Sequence, residues 1–87
     1  MPCTFYILYS SVLNKFYIGH TCEPIEERLR KHLSSHRGFT SKAKDWKLVY
    51  TEQHLNKSIA YQRELAVKSW KSRIRIENLI PPKSQTS

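Results

Sequence analysis

Hydrophobic and polar positions alternate over two short stretches near the start of the chain. Residues 4–9 and 15–19 are rich in aromatic and β-branched side chains and are bounded by turn residues, which predicts two strands. The turn-like segment between them makes the pair a β-hairpin, with Tyr6 on one strand and Tyr17 on the other. A third alternating stretch, residues 47–52, predicts a third strand.

Helical periodicity follows the hairpin. Ile25, Leu29 and Leu33 recur at helical spacing, and Pro24 suits a first helical position because its missing N–H costs nothing there. These features predict a helix over residues 24–34.

Two more helices are predicted after the third strand. Ser58 is a candidate N-cap for a helix over residues 59–71, because its hydroxyl can accept from the first turn. A break near Ser72 then separates this helix from a short one over 73–79.

The segments outside the predicted helices and strands indicate where the domain ends. Residues 34–46 are polar and basic and predict a loop with one helical turn around 40–44, and residues 81–87 predict a disordered tail. The order β-β-α-β-α-α indicates the α+β class, with a small three-stranded antiparallel sheet flanked by helices. We expect one domain over residues 1–80.

Charge narrows the class of partner. The 87 residues include 15 Lys and Arg against 7 Asp and Glu, a net charge of +8 that favours a polyanionic partner, most often nucleic acid. A basic protein without such a partner and a protein drawn to anionic membrane are the alternatives. No membrane partner is expected, because no basic helix has a lipid-type apolar face and the first apolar run, about nine residues, is too short to cross a bilayer.

Cysteine usage bears on location. Cys3 and Cys22 are too few for a disulfide scaffold and lack the spacing of metal ligands. No basic segment precedes the first apolar run, as a secretory signal would require. We therefore expect reduced thiols and a cytoplasmic location.

The first predicted helix carries two candidate site residues. Arg28 and His32 are four positions apart, so they share a helix face, and His32 borders the apolar stripe. This is where a site would lie, although a surface charge beside a boundary histidine has the same pattern.

Glu64 is the candidate metal ligand. It projects among Ala60, Tyr61 and Val67, so its carboxylate is expected to be partly desolvated. Mg²⁺ often uses one or two carboxylates, with waters and substrate phosphate completing its shell. The alternative is a salt bridge to a nearby cation, of which the candidates are Arg63, Lys68 and Lys71.

The hairpin tyrosines can act as bases only if a neighbouring group stabilises the phenolate. A free phenol has a pKa near 10 and is a poor base at neutral pH unless a metal or an arginine stabilises the phenolate. Packing is the alternative role for Tyr6 and Tyr17. A thiol nucleophile at Cys22 beside His20 lacks an orienting third group, and no glycine-rich phosphate loop, paired acids or zinc spacing is present.

Taken in order, these residues resemble the GIY-YIG nuclease domain in its small standalone bacterial form, which is similar to the domain that opens the nuclease protein of bacterial nucleotide-excision repair. Thr4-Phe5-Tyr6 stands at the first element and Tyr17-Ile18-Gly19 at the second. Arg28 falls where the family has its arginine, His32 where members carry His or Tyr, and Glu64 at the metal-binding glutamate. The resemblance covers residues 4 to 80.

The chain also departs from the family pattern. Thr4 and Phe5 replace the first glycine and isoleucine, and His20 follows the second element where some relatives have lysine. Asn78 is the candidate for the late asparagine of larger members.

The resemblance implies a metal-dependent DNA endonuclease acting in repair or on branched and flapped DNA. Glu64 would hold one Mg²⁺ or Mn²⁺, and Arg28 would stabilise charge on the phosphoryl oxygens. Tyr6 and Tyr17 would position or deprotonate the attacking water, with His32 as an alternative base or relay.

Binding residues complete the prediction. Gly19 would allow close backbone approach at the strand end. Phosphate contacts without base reading are expected from a basic set between the first helix and the third strand: Arg30, Lys31, Arg37, Lys42, Lys44 and Lys47. A protein partner could lend specificity. The alternatives are a non-catalytic nucleic-acid-binding module on the same fold and a structural role at a ribosome or scaffold.

Overall fold

The computed structural model describes residues 2–34 and 43–81 and has the predicted order of elements. The strands form one antiparallel sheet in the order β2-β1-β3, so the predicted α+β fold is confirmed. In the described ranges, no helix is both long and apolar enough to span a membrane. The elements are β1 (Cys3–Ser10), β2 (Lys15–Thr21), α1 (Ile25–Ser34), β3 (Lys47–His54), α2 (Lys57–Ser69) and α3 (Arg73–Leu79).

The central strand β1 sets the two layers of the core. Successive strand side chains point to opposite faces of a sheet. Phe5 and Ile7, both fully buried, join a cluster with residues of α2 and α3. Tyr6 and Leu8 join a second cluster, against which the apolar stripe of α1 packs. Burying each such side chain contributes roughly 1.5–3 kcal/mol, so the sheet is held from both sides.

Strand register decides which residues face each other at the site. In the hairpin, Tyr6 lies opposite Gly19 and Leu8 lies opposite Tyr17. The pairing of β1 with β3 shifts between Ile7 and Leu8, where the ladder is irregular.

The start of α2 corrects one prediction. The helix begins at Lys57, and Asn56 is its N-cap, with the amide oxygen accepting from the backbone N–H of Ile59 at 3.0 Å. The predicted cap, Ser58, lies inside the first turn. Asn and Ser cap helices about equally well, so the sequence pattern did not separate the two. The predicted break holds, and Ser72 is the N-cap of α3.

Asp45 fastens the segment before β3 to the hairpin turn. Its carboxylate accepts hydrogen bonds from the hydroxyls of Ser10 and Ser11 and from the backbone N–H of Val12. The bonds from Ser10 and Val12 lower the pKa of Asp45 to about 2. Of the helical turn predicted around 40–44, residues 40–42 lie outside the described residues and 43–44 are not helical.

The oxidation state of the two cysteines differs from the one predicted. Cys3 and Cys22 form a disulfide, so the prediction of reduced thiols is wrong for this structure. The cause is the hairpin register: Thr4 pairs with Thr21, which makes the two cysteines the next opposite pair, with their Cα atoms 4.1 Å apart. The cytoplasmic location and the disordered tail remain predictions.

Candidate active site

The phenol of Tyr6 lies at the centre of a polar cluster between the sheet and α1. Its oxygen is 2.8 Å from Nε2 of His32 and accepts a longer hydrogen bond, 3.4 Å, from Nε of Arg28. Arg28 and His32 occupy one face of α1, as their spacing predicted, and that face covers β1. The structure therefore brings these three candidate residues together.

Tyr17 closes one side of this cluster from the neighbouring strand. Its ring stacks on that of Tyr6, with centroids 6.5 Å apart and planes 26° apart. It also meets the His32 ring edge-on at 4.8 Å and the Trp46 ring at 6.4 Å. Tyr17 is therefore placed to fix the orientation of Tyr6 and His32.

Gly19 makes room for the Tyr6 phenol. A Cβ atom at this position would lie 2.7 Å from the Tyr6 hydroxyl oxygen and 3.3 Å from Cε1 of Tyr17. Real Cβ atoms are essentially never found at 2.7 Å from another heavy atom, so any side chain here would displace the phenol. In this structure, the group that lies close to the backbone of Gly19 is therefore the phenol of Tyr6.

Burial sets the protonation states in the cluster. It raises the pKa of Tyr6, which the hydrogen bond and charge of Arg28 offset only in part, so the phenol keeps its proton at neutral pH. Burial and then the charge of Arg28 lower the pKa of His32 below its usual 6.5. A neutral His32 imidazole can accept a proton at neutral pH.

Glu64 lies on α2 and is 9% exposed. Its Oε1 is 2.6 Å from Nδ1 of His20, and its Oε2 accepts a 2.6 Å hydrogen bond from Nζ of Lys68. Burial pushes the pKa of Glu64 upward, but the hydrogen bonds from Lys68 and His20 outweigh it and hold the pKa below its usual value. The charge of this carboxylate in turn helps to raise the pKa of Tyr6, so it acts on the phenol.

The salt bridge that the sequence offered as the alternative role of Glu64 is present, whereas the role of metal ligand stays a prediction. Of the three cations weighed, Lys68, one turn further along α2, forms this salt bridge. The pairing leaves Glu64 as a buried, charged carboxylate whose Oε2 is held by the Lys68 ammonium.

Metal binding at this site would depend on a single carboxylate, that of Glu64. Across the described ranges, no three His, Cys, Asp or Glu residues gather in a way that could hold a metal ion. Glu64 offers one carboxylate, and Mg²⁺ is commonly held by one or two carboxylates together with water and substrate phosphate. A cation at Glu64 would compete with Lys68 for Oε2.

Two of the predicted phosphate contacts on α1 already have acidic partners. Arg30 is 2.6 Å from Glu27, and Lys31 is 2.9 Å from Glu23. All four side chains lie at the surface, where such pairs contribute little and exchange readily for phosphate.

The other predicted phosphate contacts lie around the segment before β3. Lys44 donates to the backbone carbonyl of Leu33 at 3.0 Å, and Lys47 is exposed at the start of β3. Arg37 and Lys42 lie outside the described residues.

Sequence reasoning missed the part that His20 plays. It joins β2 to α2 through Glu64, across 44 residues of sequence, and its ring lies 5.3 Å from that of Tyr61. The available signal was its position directly after the Tyr-Ile-Gly element, where the pattern of the family changes.

Comparison with known proteins places the chain in a family. The model of the GIY-YIG catalytic domain matches residues 2–78, so the protein belongs to the GIY-YIG family. Membership supports a nuclease-type function and nucleic acid as the partner. The structure is similar to the solution NMR structure of the UPF0213 protein BH0048 from Bacillus halodurans, with a TM-score of 0.58 and 28% identity over 100% of this chain and 95% of that chain. No curated protein matches.

Proposed function

We propose that this protein is an endonuclease that hydrolyses phosphodiester bonds in branched or flapped DNA, with one Mg²⁺ or Mn²⁺ bound at Glu64. The observation that supports this most directly is the Tyr6 phenol, held between Arg28 and a neutral His32 and acted on by the charge of Glu64. Phosphodiester hydrolysis needs a base for water and positive charge for the phosphate, and these residues supply both.

A proton path exists when the Tyr6 oxygen accepts from Nε of Arg28, which can only donate, and the phenol hydrogen points to His32. This arrangement requires the His32 tautomer that carries its hydrogen on Nδ1 and leaves Nε2 as the acceptor. In the proposed step, water gives a proton to the Tyr6 oxygen while the phenol proton passes to Nε2 of His32. The resulting hydroxide attacks phosphorus and the bond to the leaving oxygen breaks. No free phenolate is needed, so the raised pKa of Tyr6 is no obstacle.

Charge stabilisation falls to the arginine and the metal ion. Arg28 presents a guanidinium beside the reacting water, where it would stabilise charge that develops on the phosphoryl oxygens. The ion, when bound, supplies neutralisation of the phosphate and leaving oxygen. Tyr17 keeps the proton path aligned by packing on both Tyr6 and His32.

A second function has one observation in its favour. Both oxygens of Glu64 are engaged, one by His20 and one by Lys68. If Lys68 is never displaced, the protein would be a nucleic-acid-binding module that does not cleave.

Cleavage of labelled nicked, flap and branched DNA, with matched RNA, tests both functions in the presence of Mg²⁺. We expect Glu64→Gln and Arg28→Ala to slow cleavage about 10²–10³-fold. Glu26→Gln, an exposed acid on α1, is the control for the first change, and Lys57→Ala, an exposed cation on α2, is the control for the second.

Each outcome decides between the functions. Equal cleavage by wild type, Glu64→Gln and Arg28→Ala would refute the assigned site. Tight binding without cleavage of any substrate by the wild type would favour the binding module. Preferred cleavage of RNA would overturn the DNA assignment.

A further inference from the structure

A groove lies between β2 and the junction of α2 with α3, apart from the polar cluster around Tyr6. Its volume is about 320 Å³, close to the lower end of about 300–1,000 Å³ that is typical of ligand sites. Phe16, Ile18 and Ile76 provide its apolar lining. The other residues around this basic groove are Ser72 and four cations: Lys15, Lys68, Lys71 and Arg73.

This combination selects a particular kind of ligand. Apolar side chains favour a flat, weakly hydrated face. Two of the four cations, Lys68 and Arg73, are paired with carboxylates, but the four together still outnumber these two acids and favour an anionic ligand. An unpaired nucleotide has both, because its base faces are free and its phosphate is anionic. A duplex keeps its base faces stacked and would offer the basic groove phosphates alone.

Lys71 gives an independent reason to regard the basic groove as a binding site. It follows the C-terminal end of α2 with a φ of 50°, in the left-handed region where Gly or Asn is usual. A lysine is less stable than glycine in this backbone conformation, so its presence does not stabilise the end of the helix. In the described part of the chain, no hydrogen bond or ion pair holds its ammonium group, and Lys71 is one of the residues that line the groove.

Arg73 holds one wall of the basic groove in place. Its guanidinium donates to the backbone carbonyl and the side chain of Asn14, each at 2.6 Å, and to Glu77 at 2.8 Å. It also lies over the Phe16 ring, 5.2 Å from the centroid. The apolar lining is therefore positioned before any ligand arrives, which lowers the entropic cost of binding.

Lys68 connects the basic groove to the candidate active site. Its side chain lines the groove while its ammonium is 2.6 Å from Oε2 of Glu64. Glu64 and Lys68 are one helical turn apart on α2, a rise of about 6 Å. A nucleotide in the basic groove would therefore adjoin a phosphate held near Glu64.

We propose that the basic groove binds an unpaired nucleotide of the substrate strand, next to the phosphate that is cleaved. The base packs on Phe16, Ile18 and Ile76, and Lys71 contacts the phosphate. This inference rests on the proposed function, and it makes single-stranded character beside the cleaved bond a determinant of substrate choice.

Binding in the absence of cleavage tests the proposal. Fluorescence anisotropy is measured in the Glu64→Gln background with EDTA, using a short single-stranded DNA, the same sequence as a blunt duplex, and an abasic strand of equal length. The added substitutions are Lys71→Gly and Lys71→Ala, with Lys57→Ala as a control that removes one exposed lysine elsewhere on α2.

We expect Lys71→Gly and Lys71→Ala to raise the Kd for the single strand about fivefold and Lys57→Ala to change it little. The abasic strand should bind the Glu64→Gln protein about five- to tenfold more weakly than the normal strand. Lys71→Gly should at the same time raise the Tm, because glycine adopts the left-handed conformation without a penalty. Weaker binding together with higher stability cannot come from misfolding.

Several results would overturn the proposal. Equal binding of normal and abasic strands would show that the basic groove does not bind a base. An equal loss of affinity in Lys57→Ala would show that Lys71 contributes only general positive charge. Binding to phosphatidylserine vesicles that depends on Lys71, with DNA binding unaffected, would assign the basic groove to a membrane. If the wild type cleaves DNA but Lys71→Gly does not weaken DNA binding relative to its parent, the proposed role of the basic groove is refuted and the proposed function stands. Lys71-dependent binding without any cleavage would refute the proposed function alone.

Discussion

The hydroxyl oxygen of Tyr6 lies 2.8 Å from Nε2 of His32, which ties the central strand to α1 across 26 residues of sequence. The contact is buried, and burial acts on the two groups in opposite ways: it raises the pKa of the phenol and lowers that of the imidazole. At neutral pH the pair therefore consists of a protonated phenol and a neutral imidazole, whose Nε2 accepts the phenol hydrogen in the tautomer protonated at Nδ1. This is the state required of a relay that removes a proton from water.

The pH dependence of cleavage should follow His32. Its pKa lies below 6.5, so the imidazole is neutral at pH 7 and becomes protonated as the pH falls through that lowered value. We expect the cleavage rate to be level near neutral pH and to decrease in acid with the slope of one proton. His32→Gln should reduce the rate at pH 7 about 10²–10⁴-fold and remove this acid decrease. An unchanged acid decrease in the variant would assign it to another group.

Folding stability should respond to the same group with a definite sign. The folded state disfavours protonated His32, so the unfolded state binds more protons once the pH falls below about 6.5. Chemical denaturation should therefore show that the stability His32 contributes is present above that value and is lost progressively below it. His32→Gln should flatten this part of the stability curve, and a parallel curve for the variant would contradict the assignment.

Gly19→Ala should disturb the Tyr6 contact without touching any charged group. The added Cβ would lie 2.7 Å from the phenol oxygen, so the ring must move away from His32. We expect a loss of about 1–3 kcal/mol in unfolding free energy, measured by urea denaturation, and a lower cleavage rate. The stability cost should shrink in a Tyr6→Leu background, because the hydroxyl oxygen and the ring carbon Cζ, which the added Cβ would meet at 2.7 and 2.8 Å, are then both absent. The same cost in both backgrounds would mean that the clash lies elsewhere.

Lys68→Met should strengthen metal binding. The ammonium of Lys68 holds Oε2 of Glu64 at 2.6 Å, and methionine keeps the apolar stem while removing the competing charge. We expect the Kd for Mn²⁺, measured by electron paramagnetic resonance, to fall about tenfold. Lys57→Met is the matched control at an exposed position of α2. Weaker Mn²⁺ binding in Lys68→Met would show that the lysine supports the site and does not compete for it.

Reduction should destabilise the protein through the unfolded state. The disulfide joins residues separated by 19 positions, and closing a loop of this size restricts the unfolded chain by about 3 kcal/mol. Thermal unfolding with and without dithiothreitol should show a lower Tm for the reduced protein. The Cys3→Ala/Cys22→Ala double variant should have a low Tm that does not respond to the reductant. A wild-type Tm that is independent of reductant would show that the bond does not form in solution.

Local patterns in the sequence determined the elements and their order. The apolar stripe of Ile25, Leu29 and Leu33 predicted α1 because helical periodicity is a property of neighbouring residues, and the alternation in the hairpin predicted β1 and β2 in the same way. The pairing of Arg28 with His32 on one helix face was also predictable, since a four-residue spacing fixes it. The start of α2 was missed by two residues because Asn56 and Ser58 are comparable caps.

Tertiary structure decided every relationship that depends on strand register and on how the helices pack. The opposition of Tyr6 and Gly19 and the pairing of Cys3 with Cys22 follow from one register, and a slip of one residue would have turned Tyr6 to the other face. The contact between His20 and Glu64 requires α2 to pack across β2, which no local pattern encodes. The sequence by itself determined which residue types the site contains. Their distances, burial and protonation states come from long-range packing, because contacts between residues far apart in sequence depend on the whole fold.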